Sequence, residues 1–274
     1  MRPLRFYLMG RNISYSASPA MMAAAFTHMG LPHTYELADI APDDLPATVE
    51  YLRTHAAGAN VTVPYKRAVA QQCDTLSDVA AQLGAVNTVV VREGTLHGEN
   101  TDYVALVREF ASLQQAHIDA GGDRFTRAAV LGNGGAAAAV RLALAQADVE
   151  VITLARSAGT WEARARMIPA CDLLVNATPI GTGVAVPDGT PAAPDSIPVD
   201  PALLRRDLAV FDLVYRPTPT PLVAAARARG AAARAGAGML AEQGRAALQL
   251  WLQREVPAEP FLTAVLHEVG ASDV

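Results

Sequence analysis

The sequence predicts an α/β protein of two domains, and three observations support this prediction. Its 274 residues are enough for two modest hydrophobic cores. Short apolar runs alternate with longer helical segments, a pattern typical of mainly parallel sheets covered by helices. Hydrophobic residues make up 51% and charged residues 18% of the chain, which favours a globular protein over a disordered one.

The first hundred residues alternate between strand and helix signals. In order, the predicted elements span residues 5–9, 18–29, 34–37, 42–53 and 59–63, followed by a hairpin of 87–91 and 95–97. Pro19 is favoured in the first turn of a helix, and Pro64 ends the strand before it. The dipeptide Glu93-Gly94 provides the turn of the hairpin.

A second series begins after a predicted helix at 102–117 and a polar, glycine-containing break at 119–123. Its strands are expected at 128–131, 149–154, 172–175 and 208–213, with a helix at 135–147. We expect a mainly parallel sheet in each half of the chain. The proline-rich segment 187–201 is predicted to be a long surface loop.

Charge and apolar patterning argue against several classes of protein. The net charge is -5 and no basic stripe alternates with aromatic residues, so we expect no nucleic-acid partner. Arginines interrupt the longest apolar stretches, so we expect no membrane span. The two cysteines stand apart, which favours a reducing cytoplasm, and the six histidines lack the spacing of metal ligands.

A glycine-rich turn predicts a dinucleotide site. The strand at 128–131 runs directly into Gly132-Asn133-Gly134-Gly135-Ala136-Ala137 and then into a helix. In such a turn Gly132 permits the tight bend, Gly134 lets a pyrophosphate approach the backbone, and Ala137 keeps helix and strand close. The free N–H groups at the start of the helix would bind the phosphate.

The residues after the next strand indicate which dinucleotide is bound. Domains that prefer NAD usually carry an acidic residue there, which binds the ribose hydroxyl. This chain has Ala155-Arg156-Ser157 instead. Because arginine binds phosphate well and serine adds a donor, the sequence favours NADP, with NAD as the alternative.

Lys66 is the single lysine among 22 basic residues. An arginine-rich chain that retains one lysine suggests a site that needs a compact ammonium able to lose its proton. Lys66 closes the segment Asn60-Val61-Thr62-Val63-Pro64-Tyr65-Lys66, in which Asn60 and Thr62 face the same side of a strand. This segment is therefore a candidate for substrate binding and catalysis.

Polar clusters at 14–19, 60–66, 84–88 and 99–102 offer hydroxyl, amide and ammonium groups suited to a small polyol that carries a carboxylate. With the glycine turn and three later motifs, they resemble the shikimate dehydrogenase family in order and spacing, from residue 10 to about 253. The later motifs are Asn176-Ala177-Thr178-Pro179, Asp212-Leu213-Val214-Tyr215 followed by Thr220-Pro221-Leu222, and Gly238-Met239-Leu240 followed by Gln243.

This resemblance implies a substrate-binding catalytic domain of residues 1–102 plus 239–274 and a Rossmann-like NADP-binding domain of residues 103–238. C-terminal helices return to complete the first domain, and substrate and cofactor meet in a cleft between the two. The implied reaction is the reversible NADP-dependent reduction of 3-dehydroshikimate to shikimate. The implied protein is a cytoplasmic monomer or homodimer of aromatic amino acid biosynthesis.

The resemblance also assigns roles to individual residues. Lys66 and Asp102 resemble the family's catalytic pair, and Ser16 and Ser18 stand where the family holds the substrate carboxylate. The other implied substrate contacts are Asn60, Thr62, Asn87, Tyr215 and Gln243. The implied cofactor contacts are Gly132, Asn133, Gly134, Gly135, Ala136, Arg156, Ser157, Asn176, Ala177, Thr178 and Gly238.

Some positions depart from the family pattern. Tyr15 replaces a usual histidine, Tyr103 a usual glycine and Thr182 a common methionine, while Gly159-Thr160 occupy the place of a second arginine. Tyr103 adds bulk beside Asp102, so a quinate or modified-shikimate dehydrogenase is one alternative. A catalytically idle sensor that keeps both pockets is another, although an idle protein has no need of the Lys66–Asp102 pair. A bare nucleotide-binding module would leave residues 1–102 without a role.

Overall fold

The protein was analysed as a computed structural model, which describes residues 2–183 and 193–270. The chain divides into two compact units. The first comprises the chain up to Ala105 together with Leu240–Glu268, and the second comprises Leu106–Met239. Both divisions fall inside helices, and the divisions that the family resemblance implied, at 102/103 and 238/239, fall inside the same two helices.

The first unit contains a six-stranded mixed sheet. Its strands are β1 (Arg5–Gly10), β2 (Thr34–Asp39), β3 (Gly58–Val61), β4 (Thr75–Leu76), β5 (Thr88–Arg92) and β6 (Thr95–Glu99). Its helices are α1 (Ser18–His28), α2 (Leu45–His55), α3 (Lys66–Ala70), α4 (Asp78–Leu83) and α10 (Glu259–Glu268), with the start of α5 (Thr101–Asp119) and most of α9 (Ala237–Leu252).

The strand order in this sheet is β2-β1-β3-β5-β6-β4. The pairs β1–β2, β1–β3 and β4–β6 are parallel, as expected from alternating strands and helices. The predicted hairpin is present as the antiparallel pair β5–β6, and β5 also pairs antiparallel with β3. The sheet is therefore mixed rather than fully parallel, because one strand of the hairpin, β5, runs opposite to the other five strands of this sheet.

Trp251 joins α9 to this sheet. Its ring stacks on Phe6 with centroids 4.5 Å apart, and its Nε1 donates to the Val89 carbonyl at 2.9 Å. Gly58 makes room for the indole, because a Cβ there would lie 2.2 Å from Trp251 Nε1. Packing and a satisfied indole donor thus fix α9, the helix that carries Gln243, to the first unit.

The second unit contains a five-stranded sheet in the order β11-β10-β9-β7-β8, and all its pairs are parallel. Its strands are β7 (Arg127–Leu131), β8 (Glu150–Leu154), β9 (Leu173–Asn176), β10 (Ala209–Asp212) and β11 (Ala233–Ala235). Helices α6 (Gly135–Ala145), α7 (Arg164–Met167) and α8 (Pro221–Ala228) lie between them in the chain. The strand order reverses between β7 and β9, and ligands of such sheets bind at the carboxyl ends of the strands at that point.

Part of the predicted surface loop at 187–201 lies outside the described residues. Residues 193–200 form turns and bends that lead into a short 3-10 helix, Pro201–Leu203. Within residues 2–183 and 193–270, no helix is both long and apolar enough to cross a membrane.

Candidate active site

Lys66 and Asp102 form an ion pair in the first unit. Lys66 begins α3 and Asp102 lies in the first turn of α5, and Lys66 Nζ donates to Asp102 Oδ2 at 2.5 Å. The two side chains are 23% and 12% exposed. The pair is thus largely withdrawn from water but still reachable, which suits groups that exchange a proton with a ligand.

Asn87 holds the other oxygen of Asp102. Its Nδ2 donates to Asp102 Oδ1 at 2.8 Å and to Thr101 Oγ1 at 3.0 Å, and its Oδ1 accepts the N–H of Thr101 at 2.7 Å. Asn87 is 2% exposed. Its side chain is therefore fixed by several bonds at once, and it fixes the carboxylate of Asp102 in turn.

Asn60 extends the same network through the sheet. It lies opposite Thr88 in the β3–β5 register, and its Nδ2 donates to Thr88 Oγ1 at 2.9 Å and to the Asn87 carbonyl at 3.3 Å. Its Oδ1 accepts from the hydroxyl of Tyr35 at 2.8 Å. Burial raises the pKa of Tyr35, so this hydroxyl stays a donor. Three of the predicted residues (Asn60, Asn87 and Asp102) are thus joined by hydrogen bonds or by a shared partner.

A helix cap explains why Asp102 is available for Lys66. An aspartate so near the start of a helix is often its N-cap. Here the cap is Asn100, whose Oδ1 accepts the N–H of Tyr103 at 3.2 Å and whose Nδ2 donates to the Ala85 carbonyl at 2.9 Å. Asn100 was missed as a site residue, although an asparagine three residues before Tyr103 is a recognisable capping signal.

Ser16 and Ser18 lie together at the start of α1. The hydroxyl of Ser16 donates to that of Ser18 at 3.2 Å and accepts the N–H of Ser18 at the same distance. The preceding loop is anchored by Asp39, whose Oδ1 and Oδ2 accept the N–H groups of Asn12 at 2.9 Å and of Ile13 at 3.2 Å. Asp39 was not predicted, since a lone aspartate at the end of a strand carries no distinctive signal.

Thr62 and Gln243 belong to the first unit, and their hydrogen bonds go to backbone carbonyls and not to the network of Asn60, Asn87 and Asp102. Thr62 follows β3, and its N–H donates to the Met9 carbonyl at 2.8 Å. Gln243 is 8% exposed, and its Nε2 donates to the carbonyl of Leu240 in its own helix at 2.9 Å. Tyr15, beside Ser16, is 50% exposed. Roles in substrate binding remain predictions for these side chains.

The glycine-rich turn has the backbone geometry that a bound pyrophosphate needs. Gly132 has φ +105°, and a Cβ there would lie 2.9 Å from the Ala177 carbonyl oxygen. A Cβ at Gly134 or Gly135 would meet nothing within 4 Å. Gly134 is the N-cap of α6, so open space lies at a helix N-terminus with unpaired N–H groups.

A cavity of about 370 Å³ surrounds this turn. It is lined by Gly132, Asn133, Gly134, Ala155, Arg156, Ser157, Trp161, Ala177, Thr178, Pro179 and Ile180. Asn133 Nδ2 donates to Ser157 Oγ at 3.3 Å, which links the glycine turn to the end of β8. Open backbone, a helix N-terminus and an arginine in one cavity fit a dinucleotide that carries a 2′-phosphate. Trp161 was not predicted.

Asn176 lies buried behind the wall of this cavity and supports it. It is fully buried, and its Oδ1 accepts from the N–H of Thr178 at 3.1 Å and from the hydroxyl of Thr178 at 2.6 Å. Its Nδ2 donates to Asp212 Oδ1 at 2.9 Å. Its side chain is thus bound to the protein itself and holds the turn that presents Ala177 and Thr178.

Asp212 is a buried carboxyl behind that turn. Burial raises its pKa to about 6, although hydrogen bonds from Thr220, the Val214 N–H and Asn176 lower it. Thr220 Oγ1 donates to Asp212 Oδ2 at 2.7 Å. Asp212 therefore connects the end of β9 to the start of α8 through polar bonds in a nonpolar region.

Tyr215 and Gly238 belong to the second unit. Tyr215 is half-buried shortly after β10. Gly238, in the first turn of α9, is packed against Glu109, whose Oε1 would lie 2.5 Å from a Cβ at that position. Burial raises the pKa of Glu109, and Arg234, whose Nη1 is 3.7 Å away, opposes this shift. A side chain at 238 would therefore displace the carboxylate of Glu109.

A partly buried lysine–aspartate pair in one α/β unit and a dinucleotide-binding turn on a parallel sheet in the other define an oxidoreductase of the nicotinamide-dependent class. Residues 8–89 match the model of the shikimate dehydrogenase substrate binding domain. The NADP-dependent shikimate dehydrogenases of Moorella thermoacetica and Methanopyrus kandleri are 36% and 35% identical to this chain, over 97% and 96% of it and 93% and 94% of their own lengths. The chain belongs to the shikimate dehydrogenase family.

Solved structures agree with this assignment. Shikimate 5-dehydrogenase from Thermus thermophilus, in complex with NADP(H) and shikimate, has a TM-score of 0.82 and 33% identity, covering 97% of this chain and 99% of that one. Quinate dehydrogenase from Corynebacterium glutamicum, in complex with NAD, has a TM-score of 0.80 and 27% identity, covering 97% and 100%. The predicted family and two-domain α/β fold are thus confirmed.

Proposed function

We propose that this protein is an NADP-dependent shikimate dehydrogenase that reversibly reduces 3-dehydroshikimate to shikimate. The observation that carries the proposal is the Lys66–Asp102 pair, with Asn87 fixing its carboxylate. The relatives above are named as NADP-dependent shikimate dehydrogenases, and Arg156 lies in the cavity beside the glycine turn. These features together support the substrate class and the cofactor.

The chemistry assigns a task to each member of the pair. NADPH supplies the hydride when bound, and negative charge develops on the ketone oxygen of the substrate as it is reduced. The ammonium of Lys66 donates a proton to that oxygen, and Asp102 orients the ammonium and accepts a hydrogen bond from the hydroxyl formed. Lys66 regains its proton from solvent, and the reverse reaction follows the same steps backwards.

The remaining first-unit residues bind and orient the substrate. Ser16 and Ser18 offer hydroxyl donors to its carboxylate, and Asn60, Thr62, Asn87 and Gln243 bind its ring hydroxyls. Tyr215 is proposed as a further substrate contact. Short neutral polar groups suit this task because they recognise hydroxyls without adding charge that would compete with Lys66.

The first experiment measures turnover at 340 nm with shikimate or quinate and with NADP⁺ or NAD⁺. We expect turnover to be fastest with shikimate and NADP⁺. A preference for quinate or NAD⁺ would replace the proposed substrate or cofactor. Thermal stabilisation by shikimate and NADP⁺, without turnover of any combination of substrate and cofactor, would mean that the protein is a sensor.

The role of Lys66 is tested separately with Lys66→Ala and Lys66→Arg. Both should lower kcat by about 10²–10⁴-fold, with a much smaller change in KM, because arginine keeps the charge but does not release its proton. Arg67→Ala, which removes an exposed cation from the next residue of the same helix, is the control and should be near wild type. A normal kcat in Lys66→Ala would remove Lys66 from the mechanism.

A further inference from the structure

Two arginines approach one tryptophan at the edge of the cofactor cavity. The guanidinium carbon of Arg164 lies 3.8 Å from the centroid of the Trp161 ring, and that of Arg156 lies 5.6 Å from it. Arg156, Ser157 and Trp161 all line the cavity. The indole is therefore in cation–π contact with the arginine expected to bind the 2′-phosphate.

Arg164 is fixed in place by the backbone. Its Nε donates to the Trp161 carbonyl at 2.8 Å, and its Nη1 donates to the Pro198 carbonyl at 2.5 Å. Burial lowers the pKa of Arg164 and the positive charge of Arg156 lowers it further, while Glu162 opposes both effects. The protein thus places a second cation close enough to Arg156 for the two charges to repel, and an anion bound at Arg156 would relieve this repulsion.

Thr160 shapes the turn that leads to Trp161. Its Oγ1 accepts the Ala155 N–H at 3.0 Å and donates to the Thr153 carbonyl at 2.9 Å. These bonds close the turn after β8 and place Trp161 directly behind it. The next cation along the chain is Arg164.

We propose that Trp161 is a specificity residue that forms a wall of the 2′-phosphate site and holds Arg156 over it, and that Arg164 is a positioning residue that fixes the indole. The Pro198 carbonyl holds Arg164, Arg164 holds the indole of Trp161, and the indole holds Arg156. This inference rests on the proposed use of NADP, and it gives Arg156 two supporting residues for its contact with the 2′-phosphate.

The kinetic test compares Trp161→Leu, Arg164→Gln and Arg156→Gln. Each variant should lower the ratio of kcat/KM for NADP⁺ to kcat/KM for NAD⁺. The ratio should fall about tenfold for Trp161→Leu and by a smaller factor for Arg164→Gln. The change should come from a higher KM for NADP⁺, with kcat little changed. Arg166→Gln is the matched control, because it removes an exposed cation from the same helix and should leave the ratio unchanged. A purely structural role would lower the affinity for both cofactors in the same proportion and would overturn the proposal.

A binding test needs no turnover. The chain has two tryptophans, Trp161 and Trp251, and only Trp161 lines the cavity. Adenosine 2′,5′-bisphosphate should change the emission of the wild type but not that of Trp161→Phe, and adenosine 5′-monophosphate should bind at least about tenfold more weakly. Arg164→Gln should lose part of this discrimination between the two nucleotides.

The two tests separate this inference from the proposed function. Normal NADP⁺-dependent turnover with unchanged cofactor selectivity in Trp161→Leu and Arg164→Gln would overturn the inference and leave the function standing. A Trp161 signal that depends on the 2′-phosphate, in a protein that turns over no substrate, would support the inference and overturn the function. An equal response to both nucleotides would overturn the inference.

Discussion

Asn87 Nδ2 lies 2.8 Å from Oδ1 of Asp102, on the oxygen that Lys66 does not bind. The carboxylate is therefore held from two sides, by an amide and by an ammonium. A carboxylate restrained at both oxygens keeps one orientation, which is what a proton-transfer partner requires.

The first prediction concerns this amide. Asn87→Asp keeps the shape but places a second carboxylate next to Asp102, and two carboxylates at this distance cannot both stay ionised. We expect kcat at neutral pH to fall at least about tenfold and the pH optimum to move. Asn100→Asp adds the same charge while keeping the helix-capping oxygen, and it should have a smaller effect. An unchanged pH profile in Asn87→Asp would contradict the role given to Asn87.

The single lysine permits a chemical test of the substrate site. An amine reagent such as trinitrobenzenesulfonate has only Lys66 and the α-amino group as amine targets in this chain. Since the Lys66 side chain is 23% exposed, we expect slow labelling with loss of activity, and shikimate should slow it at least about fivefold. Peptide mapping by mass spectrometry measures both rates. Equal labelling of Lys66 with and without shikimate would place the substrate elsewhere.

Two glycines of the cofactor turn should respond differently to alanine. Gly132→Ala introduces a Cβ 2.9 Å from the Ala177 carbonyl oxygen at φ +105°, and we expect it to lower the free energy of unfolding by about 1–3 kcal/mol. A Cβ at Gly134 meets no protein atom within 4 Å, so Gly134→Ala should fold normally but raise KM for NADP⁺ at least about tenfold. Thermal melts and initial rates measure the two effects. Normal cofactor binding by Gly134→Ala would argue against pyrophosphate at this turn.

Asp39 should affect substrate binding without touching the substrate. Asp39→Ala removes both acceptors of the Asn12 and Ile13 N–H groups, and Asn12 is held at φ 54°. The loop before Ser16 and Ser18 would lose its anchor. We expect KM for shikimate to rise about three- to tenfold, with kcat and KM for NADP⁺ nearly unchanged. Asp43→Ala, at an exposed site nearby in the chain, is the control and should behave as wild type.

The raised pKa of Asp212 predicts how the free energy of unfolding depends on pH. Its pKa of about 6 in the folded protein exceeds its ordinary value of 3.8, so the folded state binds the proton more tightly than the unfolded state. Its contribution to the free energy of unfolding is therefore full below pH 3.8 and is lost as pH rises through about 6, by on the order of 3 kcal/mol. Asp212→Asn removes this titration.

The difference in unfolding free energy between wild type and Asp212→Asn should therefore change between pH 4 and pH 6.5, in favour of the variant at the higher pH. Urea denaturation at several pH values measures it. A difference that stays constant over this range would mean that Asp212 does not titrate there. Asp212 is not a member of the Lys66–Asp102 pair, so the pH profile of kcat is a separate measurement.

Sequence and structure agree where the chemistry is local. The Gly132–Gly134 turn is specified by residues adjacent in the chain, since φ +105° and close approach of backbone both require glycine. Nine strands, including those of the β5–β6 hairpin, follow from apolar runs and a turn at Glu93-Gly94, whereas β4 and β11 were not predicted. Lys66 was identified by its rarity, and its pairing with Asp102 was implied by the family resemblance and is present in the structure.

Long-range packing decided the remaining features. The direction of β5 beside β3 and the division of the chain within α5 and α9 depend on contacts between segments far apart in sequence. Asn100 precedes α5 and caps it, which leaves the carboxylate of Asp102 to Lys66 and Asn87. Asp39 contacts the loop before Ser16 only because the end of β2 and that loop come together in space. Sequence motifs therefore determined which chemistry the chain carries, and tertiary contacts determined which side chains hold that chemistry in place.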